Sequence, residues 1–170
     1  MSQRPASTEY NEYYGVYIDQ VPEGDIVGIL KDQKERIDDL MAQIPESKLD
    51  FRYEQGKWSV KEVIGHVIDT EWIFAYRALR MARNDSTALA GMDQNEFMEG
   101  ANFGDRELRS LAAEFLHLRS ATIELFSSFD ESLRDRAGTA SGFPFTVRSL
   151  MYITAGHAEH HMRILRERYL

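Results

Sequence analysis

Four stretches of this chain repeat apolar residues at helical spacing, and none alternates apolar with polar residues over the length of a strand. That pattern predicts an all-α fold. The first stretch covers about 25–44, where "DIVGILKDQKERIDDLMAQI" sets Ile26, Ile29, Leu30, Ile37, Leu40 and Met41 on one stripe and Pro45 stops it. The second covers about 59–83 and opens on Ser59 and Glu62, an S-x-x-E capping box that satisfies N–H groups left free by the first turn. The third covers about 105–129, with Asp105 as its expected cap and Leu108, Leu111, Phe115, Leu118, Ile123 and Phe126 among its apolar positions. The fourth covers about 146–168 and follows the breaker-rich "GTASGFP". Four helices of this length predict a four-helix bundle with no residues left for a sheet.

A chain of 170 residues with 43% hydrophobic content can bury one core, so residues 1–170 are read as a single domain. Residues 1–23 form an arm before the first helix. In it Tyr10, Tyr13, Tyr14 and Tyr17 follow i, i+3, i+4, i+7 spacing, which suits packing over the bundle, a dimer contact or substrate stacking. The long connection "NDSTALAGMDQNEFMEGANFG" is expected to hold a helical turn at "DQNEFME" and to be placed to roof a site.

Several functions are disfavoured by what the sequence lacks. It has no cysteine, hence no disulfide, no thiolate zinc site and no thiol nucleophile of its own. It has no uninterrupted apolar run long enough to span a bilayer, and its start lacks the apolar region of a signal peptide, so a cytoplasmic protein without membrane contact is expected. The net charge of -8 opposes nucleic-acid binding, and Arg163, Arg166 and Arg168 read as complements to a helix C-terminus. H-E-x-x-H, G-x-S-x-G, P-loop and dinucleotide patterns are all missing.

The histidines carry the remaining signal. "GHAEHH" places His157 and His161 one helical turn apart, near the centre of the apolar face formed by Leu150, Ile153, Thr154, Ile164 and Leu165. His160 falls roughly 80° to the side. Two imidazoles inside an apolar stripe need partners, either a shared ion or hydrogen bonds within the core. A third ligand would come from a facing helix, and His66 is the only histidine on the second. Three neutral imidazoles suit zinc or nickel and leave coordination positions open. Asp69, three residues after His66, is a candidate to orient that imidazole or to accept a proton, with an exposed acidic position as the other reading. His117 on the third helix has no pairing logic and is expected at the surface or core edge.

The stretches "YEQGKWSVKEVIGHVIDTEWIFAYRALRMAR" and "TVRSLMYITAGHAEHHMRILRERYL" resemble the DinB-like (DinB/YfiT-like) superfamily. The resemblance implies a four-helix bundle with long crossover connections. It also implies a divalent metal held by one histidine of the second helix and an H-x-x-x-H of the last, here His66, His157 and His161, with His160 outside the primary ligands. Members with known activity are mostly metal-dependent S-transferases that use low-molecular-weight thiols such as bacillithiol or mycothiol, and others are classed as metal-dependent hydrolases. The expected function is therefore a metal-dependent transfer of such a thiol to a small electrophile. The alternatives are hydrolysis at the same site, or a non-catalytic scaffold with a structural metal. A homodimer is expected from the resemblance and from the patch that the N-terminal tyrosines offer.

Overall fold

The computed structural model describes residues 3–170. Its elements are α1 (Gly15–Ile18), α2 (Ile26–Ala42), α3 (Val60–Ala82), α4 (Gln94–Gly100), α5 (Leu108–Ser127), α6 (Glu131–Arg134), β1 (Ala137–Ala140), β2 (Phe143–Thr146) and α7 (Val147–Ile164), with a terminal π-helical turn at Leu165–Tyr169. The four long helices α2, α3, α5 and α7 form a four-helix bundle, as the periodicity predicts.

The caps explain most of the boundaries. Asp25 accepts from the Gly28 amide and starts α2, while Ser59 and Glu62 close the expected capping box on α3. Asp105 does not cap the third long helix. It ends a 3-10 turn at Phe103–Asp105, and α5 begins after Glu107. The expected turn at "DQNEFME" is α4, with Asp93 accepting from the amides of Asn95 and Glu96.

The segment before α7 departs from the sequence reading. Ala137–Ala140 pairs antiparallel with Phe143–Thr146, so the breaker-rich run is a hairpin and not a loop. Its two-residue turn, Ser141 at φ 53° and Gly142 at φ 81°, is left-handed at both positions, the geometry that matches the twist of two tightly joined strands. Phe145 points into the core from β2.

The core has two layers along the bundle axis. One holds Ile26, Val27 and Leu30 of α2, Phe74 to Ala82 of α3, Ile123 and Phe126 of α5, and Val147 to Ala155 of α7. The other holds Ile37 to Ile44, Val60 to Ile68, Leu111 to Leu118, and Ala158 to Tyr169. The start of α2 therefore shares a layer with the start of α7 but with the ends of α3 and α5. So α2 and α7 run one way, and α3 and α5 run the other. Helices α3 and α5 pack side by side, as do α2 and α5, α3 and α7, and α2 and α7. The chain thus crosses the bundle diagonally from α2 to α3 and from α5 to α7. Between the parallel helices α3 and α5, residues 83–107 must return the length of the bundle, which is why that connection is long.

Where the layers meet, Arg119 of α5 is fully buried and grips Glu71 of α3 with three hydrogen bonds of 2.7 to 3.0 Å. Its other nitrogen donates to Gln33 of α2 at 2.7 Å, and Gln33 in turn donates to the Ala155 carbonyl of α7 at 2.9 Å. One polar chain ties all four helices and fixes their register.

Candidate metal centre

The geometry of α3 and α7 brings His66, His157 and His161 together. Because the two helices are antiparallel, the early part of α3 meets the later half of α7. His157 and His161 then project from successive turns of one face toward His66. Nε2 of His66 lies 3.1 Å from Nε2 of His157, and each of the three residues offers a nitrogen within 4.8 Å of the others. Nitrogens around a single tetrahedral zinc lie roughly 3.3 Å apart, given bonds of about 2.0–2.1 Å. The trio is close to that spacing.

Its electrostatics also suit a cation. Burial pushes the pKa of His66 down to about 4. It also holds His157 well below the usual imidazole value, aided by His161 and His66, and His161 likewise, aided by His66 and His160. All three are neutral at pH 7 and so present lone pairs. Thr70, one turn after His66, donates its hydroxyl to the His66 carbonyl at 2.7 Å, which leaves an oxygen lone pair facing Nδ1 of His66 at 3.5 Å. That arrangement favours the proton on Nδ1 and leaves Nε2 free toward His157. Trp58 packs over the His66 ring at 4.7 Å between centroids.

The other candidates fall elsewhere. His160 stands beside the trio, where Gln20 meets its Nδ1 at 3.3 Å and Tyr17 packs edge-on at 5.2 Å. His117 is exposed on α5. Asp69 is half-buried, and its charged neighbours are Glu114 and Arg106 at the α5 side; burial, then Glu114, raises its pKa, and Arg106 opposes this. Thr70, and not Asp69, meets the second nitrogen of His66. The i+3 and i+4 positions lie on opposite sides of the His66 direction, and the i+4 side is the one that meets its imidazole.

Two glycines set the approach to the trio. Gly65 precedes His66, and a Cβ on it would overlap the Phe103 ring. Gly156 precedes His157, and a Cβ there would overlap the Tyr17 carbonyl. Each ligand helix is thus covered at a glycine next to its histidine. The repeated Gly-His dipeptide was visible in the sequence as the signal for this. Tyr17 is buried against His157 at 5.2 Å between ring centroids, and Tyr14 packs on Phe74 and Phe145 at 6.1 and 5.3 Å. The arm therefore lies on its own bundle, and of its tyrosines Tyr10, Tyr13, Tyr14 and Tyr17 only Tyr13 is well exposed, at 60%.

Two cavities border the trio. One of about 180 Å³ is lined by His66, His157, Thr70, Phe74, Tyr14, Tyr17 and Arg77. The second, of about 280 Å³, lies on the His161 side among Trp58, Lys57, Tyr53 and Tyr169. Gln94 of α4 lines both, so the long connection does wall the site.

Fold and site together define a four-helix bundle with a three-histidine centre between its second and last long helices. The chain belongs to the DinB superfamily, whose model matches residues 29–165. Its fold is similar to that of YfiT from Bacillus subtilis, a probable metal-dependent hydrolase with an unusual four-helix bundle topology, with a TM-score of 0.76 at 16% identity over 98% of this chain and 91% of that one. The DinB-like protein YjoA from Bacillus subtilis matches with a TM-score of 0.59 at 17% identity, covering 84% of this chain and 88% of its own. A mycothiol-dependent maleylpyruvate isomerase matches with a TM-score of 0.68 at 11% identity over 86% of this chain and 61% of that protein. No curated protein matches the chain's sequence. Among the described residues no helix is long and apolar enough to cross a membrane.

Proposed function

We propose that this protein is a cytoplasmic metal-dependent S-transferase in which His66, His157 and His161 hold a divalent ion, zinc or nickel, and a low-molecular-weight thiol attacks a small electrophile. The observation that carries this reading is the pair of cavities that border the trio, one lined by His66 and His157 and the other by His161. Two such approaches suit a reaction that brings two organic molecules to one ion. A divalent cation lowers the pKa of a bound thiol or water, so a chain without cysteine can support thiolate chemistry at neutral pH.

The chain's own residues do the rest. Thr70 orients His66, Trp58 and Tyr17 shield the imidazoles from water, and Tyr14 with Phe74 forms an apolar wall for the substrate. No proton-handling role is assigned to Asp69. The open cavities speak against a purely structural metal. Hydrolysis remains the second reading, supported by the fold shared with YfiT. A homodimer belongs to the same proposal, and its support is now the exposed Trp72 and Tyr76 on α3 beside Leu118 and Leu125 of α5, with the arm tyrosines largely used within the chain.

The test is to incubate metal-loaded protein with a generic aryl halide electrophile and a panel of thiols, with and without chelator, beside ester substrates. Chelator-sensitive conjugation is the expected result. Ester turnover with no thiol requirement would replace transfer by hydrolysis, and silence in both assays would favour the scaffold.

A further inference from the structure

The cavity on the His66 side ends at a charge with no counter-charge. Among the described residues the other buried cations have carboxylate partners: Lys61 meets Asp50 at 2.8 Å, Arg119 meets Glu71 at 2.7 Å, and Arg148 meets Glu131 at 2.6 Å. Arg77 is only 3% exposed, yet its partners are neutral. It donates to the Ala90 carbonyl at 2.9 Å and the Ser141 hydroxyl at 3.1 Å, and it hydrogen-bonds with the Tyr14 phenol. A guanidinium withdrawn from water without an anion is unfavourable, and neutral acceptors offset only part of that cost.

We infer that Arg77 is the anchor for a carboxylate on the small electrophile that occupies this cavity. His66, Thr70, Phe74 and Arg77 lie along one stripe of α3, so the guanidinium side chain arises about 16 Å of helix rise from His66. The cavity therefore has an imidazole end, an apolar middle and a cationic end. An apolar cavity of about 150 Å³ holds benzene. The volume of about 180 Å³ here admits a small ring or short chain bearing one carboxylate. Since the chain carries a net charge of -8 and repels anions on average, a local buried cation is what such a substrate requires. Arg77 is also a strut between α3 and the β1–β2 turn at Ser141, but the strut needs only hydrogen bonds and not an unpaired charge.

The inference rests on the transferase reading only for which substrate is held; the anion site itself is independent of the metal. The experiment measures calorimetric binding of benzoate, phenylacetate and 3-phenylpropionate against their neutral amides. It uses metal-loaded and chelator-treated protein, in wild type, Arg77→Gln and Arg77→Lys. Carboxylates should bind wild type about 10- to 100-fold more tightly than the amides, with or without metal, as a charge-assisted pair in a buried site predicts. Arg77→Gln should abolish that preference, and Arg77→Lys should keep part of it. Failure of every carboxylate to bind wild type, equal binding of amides, or a preference that survives Arg77→Gln would overturn the inference. So would carboxylate binding that disappears with the chelator, which would locate the anion at the histidines and leave the metal reading intact. Should Arg77→Gln fail to fold, the wild-type and Arg77→Lys arms still decide.

Discussion

Gly156 of α7 lies so close to Tyr17 of the N-terminal arm that a single added methyl group would occupy the space of the Tyr17 carbonyl oxygen. The arm is thereby seated on the helix that carries His157 and His161, and Tyr17 becomes the lid of the His157 ring.

Gly156→Ala should therefore lift the arm. Overpacking of this kind costs about 1–3 kcal/mol, and here the strain is relieved by moving a short segment and not the bundle. Hydrogen exchange should accelerate in 15–18 while α3 and α5 keep their protection. Unchanged exchange in the arm would show that Tyr17 is not held by this contact.

The buried pair of Glu71 and Arg119 gives a second prediction. Arg119→Met leaves a carboxylate fully buried without its cation, which should cost about 3–5 kcal/mol in urea unfolding. Replacing Glu71 by Gln in the same chain should recover much of that loss. If the single variant unfolds within about 1 kcal/mol of wild type, the polar chain does not set the register of the four helices.

The histidines make the metal-free protein sensitive to acid. Burial holds His66 at about 4 and depresses His157 and His161 as well, while an unfolded imidazole titrates near 6.5. Between those values the unfolded chain binds more protons than the folded one, so stability rises with pH and is lost as pH falls through the window. His66 alone contributes on the order of 3 kcal/mol to the change. Urea midpoints of chelator-treated protein should fall steeply from about pH 6.5 toward 4.5, and less steeply in His66→Gln. A flat profile across that range would mean the imidazoles are not buried as described.

How much of this was legible depends on how local each signal is. The four long helices, the Ser59 and Glu62 box and the H-x-x-x-H of α7 rest on signals within a few turns of chain, and the structure has all of them, with the helix ends shifted from the expected bounds. The diagonal order of the helices does not, because amphipathic stripes state which face is buried and not which neighbour buries it. The cap expected at Asp105 differs because a cap is defined by where the chain bends next, and here a 3-10 turn at Phe103–Asp105 moves the start of α5 past Glu107. The β1–β2 hairpin was hidden because its strands are four residues long and partly exposed, although Ser141 and Gly142 carried a turn signal. Arg77 gave no sequence signal at all, since only burial reveals that it lacks an anion.

Metal analysis of purified, reconstituted protein tests the central claim most directly. Wild type should hold one zinc or nickel ion per chain, and His66→Ala, His157→Ala and His161→Ala should each lose most of it, while His160→Ala retains it. Full occupancy in all three of the first variants, with loss in His160→Ala, would contradict the assigned ligands.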